Sequence, residues 1–328
     1  MTRTKRVTAF LGTLLVAALI IAGCSSGGGK ASQQQHNQAG AGTAGTPKIK
    51  IAMITHAVPG DTFWDQIRQG ANAAAKKDNV QLVYAADPDG SKQATLIQNA
   101  INQHVAGIAV TMAHPGPVRG AIKAAIGAGI PVVGFNSGLD YWKKFGVMEY
   151  FGQDEMLAGK AFGNRLNKVG AKHVICVNQE QGSVQLEARC AGLKQAFHGK
   201  SEVLYVKSAD MASVRSRITA KLQSEPDIDY VATLGAPFAM AALQSVKDSG
   251  SKAQVATFDT NKQVINAIKG AKIKWAVDQQ PYLQGYLAVD SLWLYKYNGA
   301  IIGGGQPVLT GPTFVTPENI KNLARYSK

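Results

Sequence analysis

From Lys48 onward, short apolar runs rich in Val and Ile alternate with longer amphipathic stretches, and this alternation narrows the possible folds more than any other feature. The predicted strands are 49–54, 80–84, 107–110, 131–135, 173–177, 203–206, 230–233, 255–258 and 273–277. The predicted helices between them are 63–77, 91–104, 118–128, 156–169, 186–197, 214–223, 240–249 and 264–268. Strands that alternate with helices form parallel sheets covered on both faces. Because the pattern occurs in two similar sets, it predicts an α/β fold with two doubly wound parallel-sheet lobes.

The N-terminus has the organisation of a signal peptide. Basic residues at 3–6 precede an apolar run at 7–21, which is interrupted by Thr and Gly and is short for a membrane span of about 20 residues. The run ends in Ile-Ala-Gly-Cys, which resembles the lipobox of bacterial lipoproteins. The resemblance implies that residues 1–23 are removed and that Cys24 receives the lipid, which anchors the protein to the cell membrane on the extracytoplasmic side. The alternative is an ordinary secretory signal with an incidental cysteine.

A polar segment separates Cys24 from the first predicted strand. Residues 25–47 contain Gly, Ser, Gln, Ala and Thr but no aromatic and no branched aliphatic side chain, so they cannot bury a core. We therefore predict that 24–47 is the lipidated cysteine followed by a disordered tether.

The distribution of charge argues against a nucleic-acid partner, and the cysteine content leaves open whether a disulfide forms. The chain has 35 Lys and Arg against 21 Asp and Glu, a net charge of +14. The basic residues are scattered, without an aromatic-interleaved stripe or a binding motif, so we predict a solvated basic surface and no nucleic-acid partner. Cys176 and Cys190 could form one disulfide in an oxidising compartment or remain two buried thiols.

Polar residues follow several predicted strands, where ligands bind in parallel sheets. These residues are Thr55-His56, Asn136-Ser137-Gly138, Asp259-Thr260-Asn261 and Asp278-Gln279-Gln280. They offer both donors and acceptors, which suits a neutral ligand covered in hydroxyls. The sequence has no G-x-x-x-x-G-K-[ST] and no convincing G-x-G-x-x-G after a strand. It also has no nucleophile elbow, a G-x-S-x-G that follows a strand, and no H-E-x-x-H, so we predict no catalytic residue, no cofactor and no metal.

Several short segments, in order, resemble the periplasmic sugar-binding proteins of the ribose-binding type, over residues 48–328. The segments are 50–54, 61–64, 70–71, 130–133 with Asn136, 152–154 with Gly159, Arg189 with Gly192, 257–259, and Gln279 with Pro281. This resemblance implies the type I periplasmic binding protein fold, whose lobes are joined by a hinge of three chain crossings. It places the N-terminal lobe at 48–150 plus 281–309 and the C-terminal lobe at 151–280 plus 310–328.

The same resemblance implies a set of ligand-binding residues: Asp61, Phe63, Trp64, Asn136, Arg189, Met211, Asp259 and Gln279. The two aromatic rings would flank the ligand, Arg189 would donate to ligand oxygens, and Asp259 would accept from a pair of hydroxyls. Two residues have an alternative role. Asp61 could instead cap a helix, and Met211 could instead pack in the core.

Two departures from the family put ribose itself in doubt. Ser137 stands where the ribose binders have an arginine, and Gly235 stands where they have an asparagine. A linear polyol, another aldose or ketose, or a furanosyl signal molecule is equally compatible. The implied function is a monomeric, lipid-anchored receptor that closes on a sugar or polyol and delivers it to an ABC permease with its ATPase. The alternatives are a sensory receptor that presents the closed form to a chemoreceptor or sensor kinase and, more remotely, an exported hydrolase.

Overall fold

The computed structural model describes residues 43–323 of the chain. The predicted signal peptide at 1–23 and the predicted lipidation site, Cys24, lie outside the described residues. Within 43–323, every helix is too short or too polar to cross a membrane.

The first lobe is built on a six-stranded parallel sheet. Its strands are β1 (Ile49–Thr55), β2 (Val80–Ala86), β3 (Gly107–Val110), β4 (Val132–Phe135), β5 (Glu149–Gly152) and β11 (Val308–Leu309). Their order in the sheet is β11-β5-β4-β3-β1-β2, and each neighbouring pair is parallel. The helices of this lobe are α1 (Thr62–Lys77), α2 (Gly90–Asn102), α3 (Pro115–Gly127), α4 (Trp142–Phe145) and α10 (Pro281–Asn298).

The second lobe repeats this architecture. Its strands are β6 (His173–Asn178), β7 (Lys200–Tyr205), β8 (Tyr230–Thr233), β9 (Gln254–Phe258), β10 (Ile273–Asp278) and β12 (Thr313–Val315). They are ordered β12-β10-β9-β8-β6-β7, with β12 antiparallel to β10 and the other pairs parallel. The helices are α5 (Glu155–Lys168), α6 (Val184–Ala196), α7 (Met211–Ser224), α8 (Ala236–Ser249), α9 (Lys262–Lys269) and α11 (Ile320–Leu323). Two α/β lobes with largely parallel sheets confirm the predicted fold class.

The chain passes between the two sheets three times. It leaves the first sheet after β5, returns to it through α10 after β10, and leaves it again between β11 and β12. The third passage contains the cis peptide bond Gly311-Pro312. The third passage joins the two edge strands β11 and β12, and the first two leave from β5 and β10, the strands beside those edges.

Aspartates begin helices in the same way in both lobes. The carboxylates of Asp61, Asp89, Asp154 and Asp210 each accept a backbone N–H in the first turn of the helix that follows. A carboxylate there satisfies N–H groups that have no partner within the helix and stabilises the helix dipole. The alternative role of Asp61 as a helix cap is therefore present in the structure.

The longest helix, α10, is absent from the sequence-based assignment. It packs against α1 and against the first sheet, so its buried residues are not confined to one stripe. A helix that is apolar on several faces lacks the periodicity by which amphipathic helices are recognised. The short elements β5, β11, β12, α4 and α11 are also missing from the prediction.

The last residues of the predicted tether, 44–47, lie on the first lobe, and its residues 24–42 lie outside the described residues. Ala44 N–H donates to Lys77 O, and Asn79 donates to Thr46 O at 2.8 Å. Trp293 Nε1 donates to Thr46 Oγ1 at 3.0 Å. Residues 44–47 are therefore held on the first lobe by hydrogen bonds to α10 and to the end of α1, which the composition of this segment did not reveal.

The question of the two cysteines is also answered. Cys176 on β6 and Cys190 on α6 form a disulfide, with their Cα atoms 5.8 Å apart. Both side chains are buried in the core of the second lobe. The bridge therefore fastens α6, which carries Arg189, to β6, the strand beside the edge strand β7.

Candidate functional site

A cavity lies between the lobes, at the carboxyl ends of both sheets. Its volume is about 50 Å³. Seven of the eight predicted site residues line it: Asp61, Phe63, Trp64, Asn136, Arg189, Asp259 and Gln279. Because these residues come from both lobes, a molecule in the cavity would contact both at once.

The side chain of Arg189, on α6, forms a buried ion pair with Glu155. Its Nε lies 2.6 Å from Oε2 of Glu155, and its Nη2 donates to Oε1 at 3.0 Å. Its Nη1 donates to Leu234 O at 3.2 Å, and the guanidinium lies over the Phe258 ring, 4.7 Å from the ring centre. A guanidinium has five N–H groups. Three of them are used in these bonds, so two remain for a molecule in the cavity.

Charge compensation keeps this arginine ionised in a buried position. Burial alone lowers the pKa of Arg189, but the charge of Glu155 and the hydrogen bonds to it raise the pKa above its ordinary value. Gln153 Nε2 donates to Oε2 of the same carboxylate at 2.7 Å. The donors that Arg189 presents to the cavity are thus fixed in direction by Glu155, and the positive charge is already paired.

Asp259 and Asn136 lie at equivalent places in the two lobes. Each follows a strand of its sheet, and each has a left-handed backbone, with φ of 64° and 65°. Asn and Asp tolerate this conformation better than most other non-glycine residues. The sharp change of direction points both side chains into the space between the lobes.

Gln279 connects these two residues. Its Nε2 donates to Oδ1 of Asp259 at 2.7 Å, and its Oε1 lies 3.3 Å from Nδ2 of Asn136. Burial raises the pKa of Asp259 to about 7, against the lowering effect of Arg189, whose Nη1 lies 3.9 Å from Oδ2. Asp259 therefore changes charge near neutral pH in the absence of a ligand.

The aromatic wall of the cavity comes from the beginning of α1. The rings of Phe63 and Trp64 meet edge to face with centroids 5.2 Å apart, and Trp64 meets His56 in the same way at 4.8 Å. Asp61 accepts the N–H of Phe63 at 3.0 Å and so fixes the start of this helix. Asp61 thus lines the cavity and caps α1 at the same time.

Met211 is the predicted site residue that the structure does not bring to the cavity. It is the first residue of α7 and packs, partly buried, against the core of the second lobe. The alternative of core packing is the one that the structure shows.

Sequence reasoning missed several polar residues of this site: Gln179, Glu180, Gln185 and Ser208 line the cavity, and Glu155 pairs with Arg189 beside it. His56 also lines the cavity; it was named among the polar residues that follow strands, but not among the predicted ligand-binding residues. Glu155 carries no comparable signal, because its partner Arg189 is distant in sequence and the contact arises only from the packing of α5 on α6.

Outside the cavity, one group of side chains in the described residues is spaced closely enough to hold a cation. His173, Glu225 and Asp227 lie together at the amino end of the second sheet, away from the cavity. Lys200 and Lys221 already form ion pairs with the Glu225 carboxylate. These lysines supply the positive charge that a metal ion would bring.

Comparison with known proteins identifies the family. The family model described as a periplasmic binding protein domain matches residues 51–299. The ribose import binding protein RbsB of Bacillus subtilis is 28% identical over 236 residues, which are 70% of this chain and 76% of that protein. The xylose/arabinose-binding protein XylF of Sulfolobus acidocaldarius is 24% identical over 294 residues, covering 84% of this chain and 73% of the relative.

Solved structures agree with the family model. A carbohydrate transporter from Acidothermus cellulolyticus 11B, crystallised with myo-inositol, is 57% identical with a TM-score of 0.85 and covers 86% of this chain and 98% of its own. A solute binding protein from Burkholderia graminis in complex with D-arabinose is 27% identical with a TM-score of 0.75, covering 85% and 98%. These relatives are binding and transport proteins and not enzymes, as the sequence predicts. The matched residues, the two α/β lobes and these neighbours together show that the chain belongs to the periplasmic binding protein domain family.

Proposed function

We propose that this protein binds a neutral cyclic polyol of the inositol class, or a sugar of similar size, between its lobes and delivers it to an ABC permease with its ATPase. The observation that carries the proposal is the pairing of Arg189 with Glu155 inside the cavity. The pair leaves donors for ligand oxygens without leaving a net positive charge for an anion. The lobe limits predicted from the sequence, 48–150 with 281–309 and 151–280 with 310–328, are part of this proposal.

The cavity suits a ring that carries hydroxyl groups around its edge. Arg189 donates, Asp259 accepts, and the Asn136 and Gln279 amides can do both. The rings of Phe63 and Trp64 offer apolar surface for the C–H groups of the ligand. The 57% identical structure from Acidothermus cellulolyticus contains myo-inositol, and this supports a cyclic polyol over the linear polyols and furanosyl compounds that the sequence leaves open.

We place the protein outside the cytoplasm, attached to the cell membrane by acyl chains on Cys24, and working as a monomer. The support is the lipobox-like end of the signal sequence and the family to which the chain belongs. Each buried CH₂ group of an acyl chain contributes about 0.8 kcal/mol to membrane binding. Cys24→Ala is expected to move the protein out of the membrane fraction or to leave the precursor uncleaved. A variant that is processed and fractionates like the parent contradicts the anchor.

Calorimetric titration of the purified protein tests the ligand. We expect myo-inositol to bind with a Kd in the micromolar range or tighter, which corresponds to about −8 kcal/mol or more favourable. Xylitol, ribose and arabinose serve as comparisons of different shape, and Met211→Leu is a control variant outside the cavity. Binding of an amino acid or peptide, with no heat from any sugar or polyol, overturns the proposal.

A further inference from the structure

At one rim of the cavity, loops of the two lobes contact each other directly. Val184 N–H, in the second lobe, donates to Ala113 O in the first lobe at 3.0 Å. Beside this bond, Nε2 of His114 lies 3.3 Å from Oε1 of Glu180. His114 follows β3 and Glu180 follows β6, so the contact joins one lobe to the other and depends on the lobes being together.

A second contact between the lobes has a different chemistry. Gln66 on α1, in the first lobe, donates from Nε2 to Thr260 O, in the second lobe, at 2.8 Å. Gln66 is neutral at every ordinary pH, and the backbone carbonyl does not titrate. The contacts between the lobes thus include the ionisable pair His114–Glu180 and bonds between neutral groups, and Nε2 of Gln185 also lies 3.0 Å from Nε2 of His56 across the lobes.

The charges of His114 and Glu180 support each other. The hydrogen bond that His114 donates to Glu180 raises the pKa of His114, more than burial lowers it, and Gly182 and Asp89 add to the increase. Burial raises the pKa of Glu180, but the hydrogen bond with His114 and the charges of His56 and His114 bring that pKa below its ordinary value. About a fifth to a quarter of each side chain remains exposed, at 24% and 19%.

Several other ionisable groups lie near His114 and Glu180. Burial lowers the pKa of His56 to about 4, so this ring is neutral at neutral pH. The carboxylate of Glu187 is occupied by Gly182 N–H at 2.9 Å and by the Tyr205 hydroxyl at 3.0 Å. Asp61, which lies on the cavity side, adds negative charge. Among the described residues that face this rim, His114 is the histidine whose pKa is raised above its ordinary value.

We propose that His114 and Glu180 form a proton-linked latch, in which closure of the lobes over a ligand pairs the two side chains and His114 takes up a proton. The latch rests on the proposed function, since it requires lobes that close over a ligand. His114 does not line the cavity, so it is a positioning residue that acts through the lobes. When the lobes separate, the ring loses its carboxylate partner and its proton is held less tightly.

The sign of the pH effect follows from this. His114 is protonated more readily in the closed form, so the latch stabilises that form fully below the ordinary histidine pKa of 6.5. The contribution is lost as the pH rises through the higher pKa of the closed form. At the acid end, it is lost as the pH falls through the lowered pKa of Glu180. The contribution of this pair to ligand affinity should therefore be greatest in mildly acidic solution.

The test compares ligand affinity of the parent, His114→Gln and Gln66→Ala, measured by calorimetry with myo-inositol at about pH 6 and about pH 9. At the lower pH, His114→Gln is expected to bind about threefold more weakly than the parent, and at the higher pH nearly equally well. Gln66→Ala should weaken binding by the same factor at both pH values. Because Asp259 titrates equally in all three proteins, its effect cancels in the ratio of variant to parent.

Titration in two buffers of different ionisation enthalpy adds an independent readout. The parent should take up more protons on binding at about neutral pH than His114→Gln does. The latch is wrong if the ratio of His114→Gln affinity to parent affinity is the same at both pH values and if both proteins take up equally many protons. The proposed function is then unaffected. A parent that binds no sugar or polyol at any pH overturns the proposed function, and the latch with it.

Discussion

The Arg189 guanidinium and the Glu155 carboxylate meet in a two-point ion pair at 2.6 and 3.0 Å, with both side chains buried. The pair connects α6 to the beginning of α5, at the point where the chain has just crossed from the first lobe. Arg189 is therefore both a predicted ligand donor and part of the scaffold of the second lobe. Substitution of the two residues should have different consequences for binding and for folding.

Glu155→Gln is expected to lower the free energy of unfolding by about 3 kcal/mol, because it leaves a buried guanidinium without its counter-charge. Ligand binding should weaken as well, since the glutamine no longer fixes the direction of the Arg189 donors. Urea unfolding without ligand measures the first effect and calorimetry the second. The control is Asp65→Asn, which removes the exposed ion pair with Arg68 and should change stability by less than about 1 kcal/mol. Equal effects of the two substitutions contradict the structural role of Glu155.

Asp259→Asn should separate binding from stability. The asparagine keeps the shape of the side chain but loses the charged acceptor, so we expect binding about 10- to 100-fold weaker. A second probe is Gln279→Glu. It removes the donor of the Gln279–Asp259 hydrogen bond and places a second carboxyl group beside Asp259. Unchanged affinity of Asp259→Asn would reassign the residue to the scaffold.

The same variant tests the raised pKa of Asp259. With a pKa of about 7 in the folded protein and 3.8 as the ordinary value, the folded state holds this proton more tightly than the unfolded state. The contribution to stability is therefore present at low pH and declines as the pH rises toward 7, by up to about 1.4 kcal/mol per pH unit. Asp259→Asn should remove this part of the slope in unfolding experiments without ligand. A parent and a variant with parallel pH profiles contradict the shift.

The fold could be predicted from sequence because most elements obey simple periodicities. The first-lobe strand at 107–110 and the second-lobe strand at 230–233 were predicted with the bounds that the structure has. The helix α10 was missed because burial on several faces removes the amphipathic stripe. The edge strands β11 and β12 are too short, at 2 and 3 residues, to give an alternating pattern.

The site was predictable where residues follow strands and less so elsewhere. Asn136, Asp259 and Gln279 stand directly after strands, so the topology alone places them in the cleft. Met211 was placed there by resemblance only, and in the structure it packs on the core of the second lobe. Glu155 could not have been found, since its role depends on a helix pair and on a partner far along the chain.

The disulfide gives a prediction about stability. Cys176 and Cys190 are 14 residues apart, and a loop of this size closed by a disulfide contributes about 3 kcal/mol in the chain-entropy description. Reduction of the parent should lower the midpoint of urea unfolding by a corresponding amount. The double variant Cys176→Ala/Cys190→Ala should be equally destabilised and insensitive to reductant. Two titratable thiols in the unfolded, unreduced protein contradict the bridge.

Glycines allow close packing of one helix pair in each lobe, and the two pairs should respond differently to a methyl group. A Cβ on Gly70 would lie 1.9 Å from Tyr282 O, between α1 and α10, and one on Gly192 would lie 2.3 Å from Met156 O, between α6 and α5. Both distances are far below van der Waals contact, so the helices must move apart. Gly70→Ala and Gly192→Ala should each lower the free energy of unfolding by about 1–3 kcal/mol.

Ligand binding distinguishes the two substitutions. Gly192 is one turn from Arg189 on α6, so Gly192→Ala displaces a cavity donor and should also weaken binding, whereas Gly70→Ala should affect stability more than affinity. The matched control is Gly120→Ala in α3, where the space around the added Cβ is open and where alanine favours the helix by about 1 kcal/mol. That variant should be as stable as the parent or more so. Unchanged stability and affinity in Gly192→Ala would show that α5 and α6 can separate without moving Arg189.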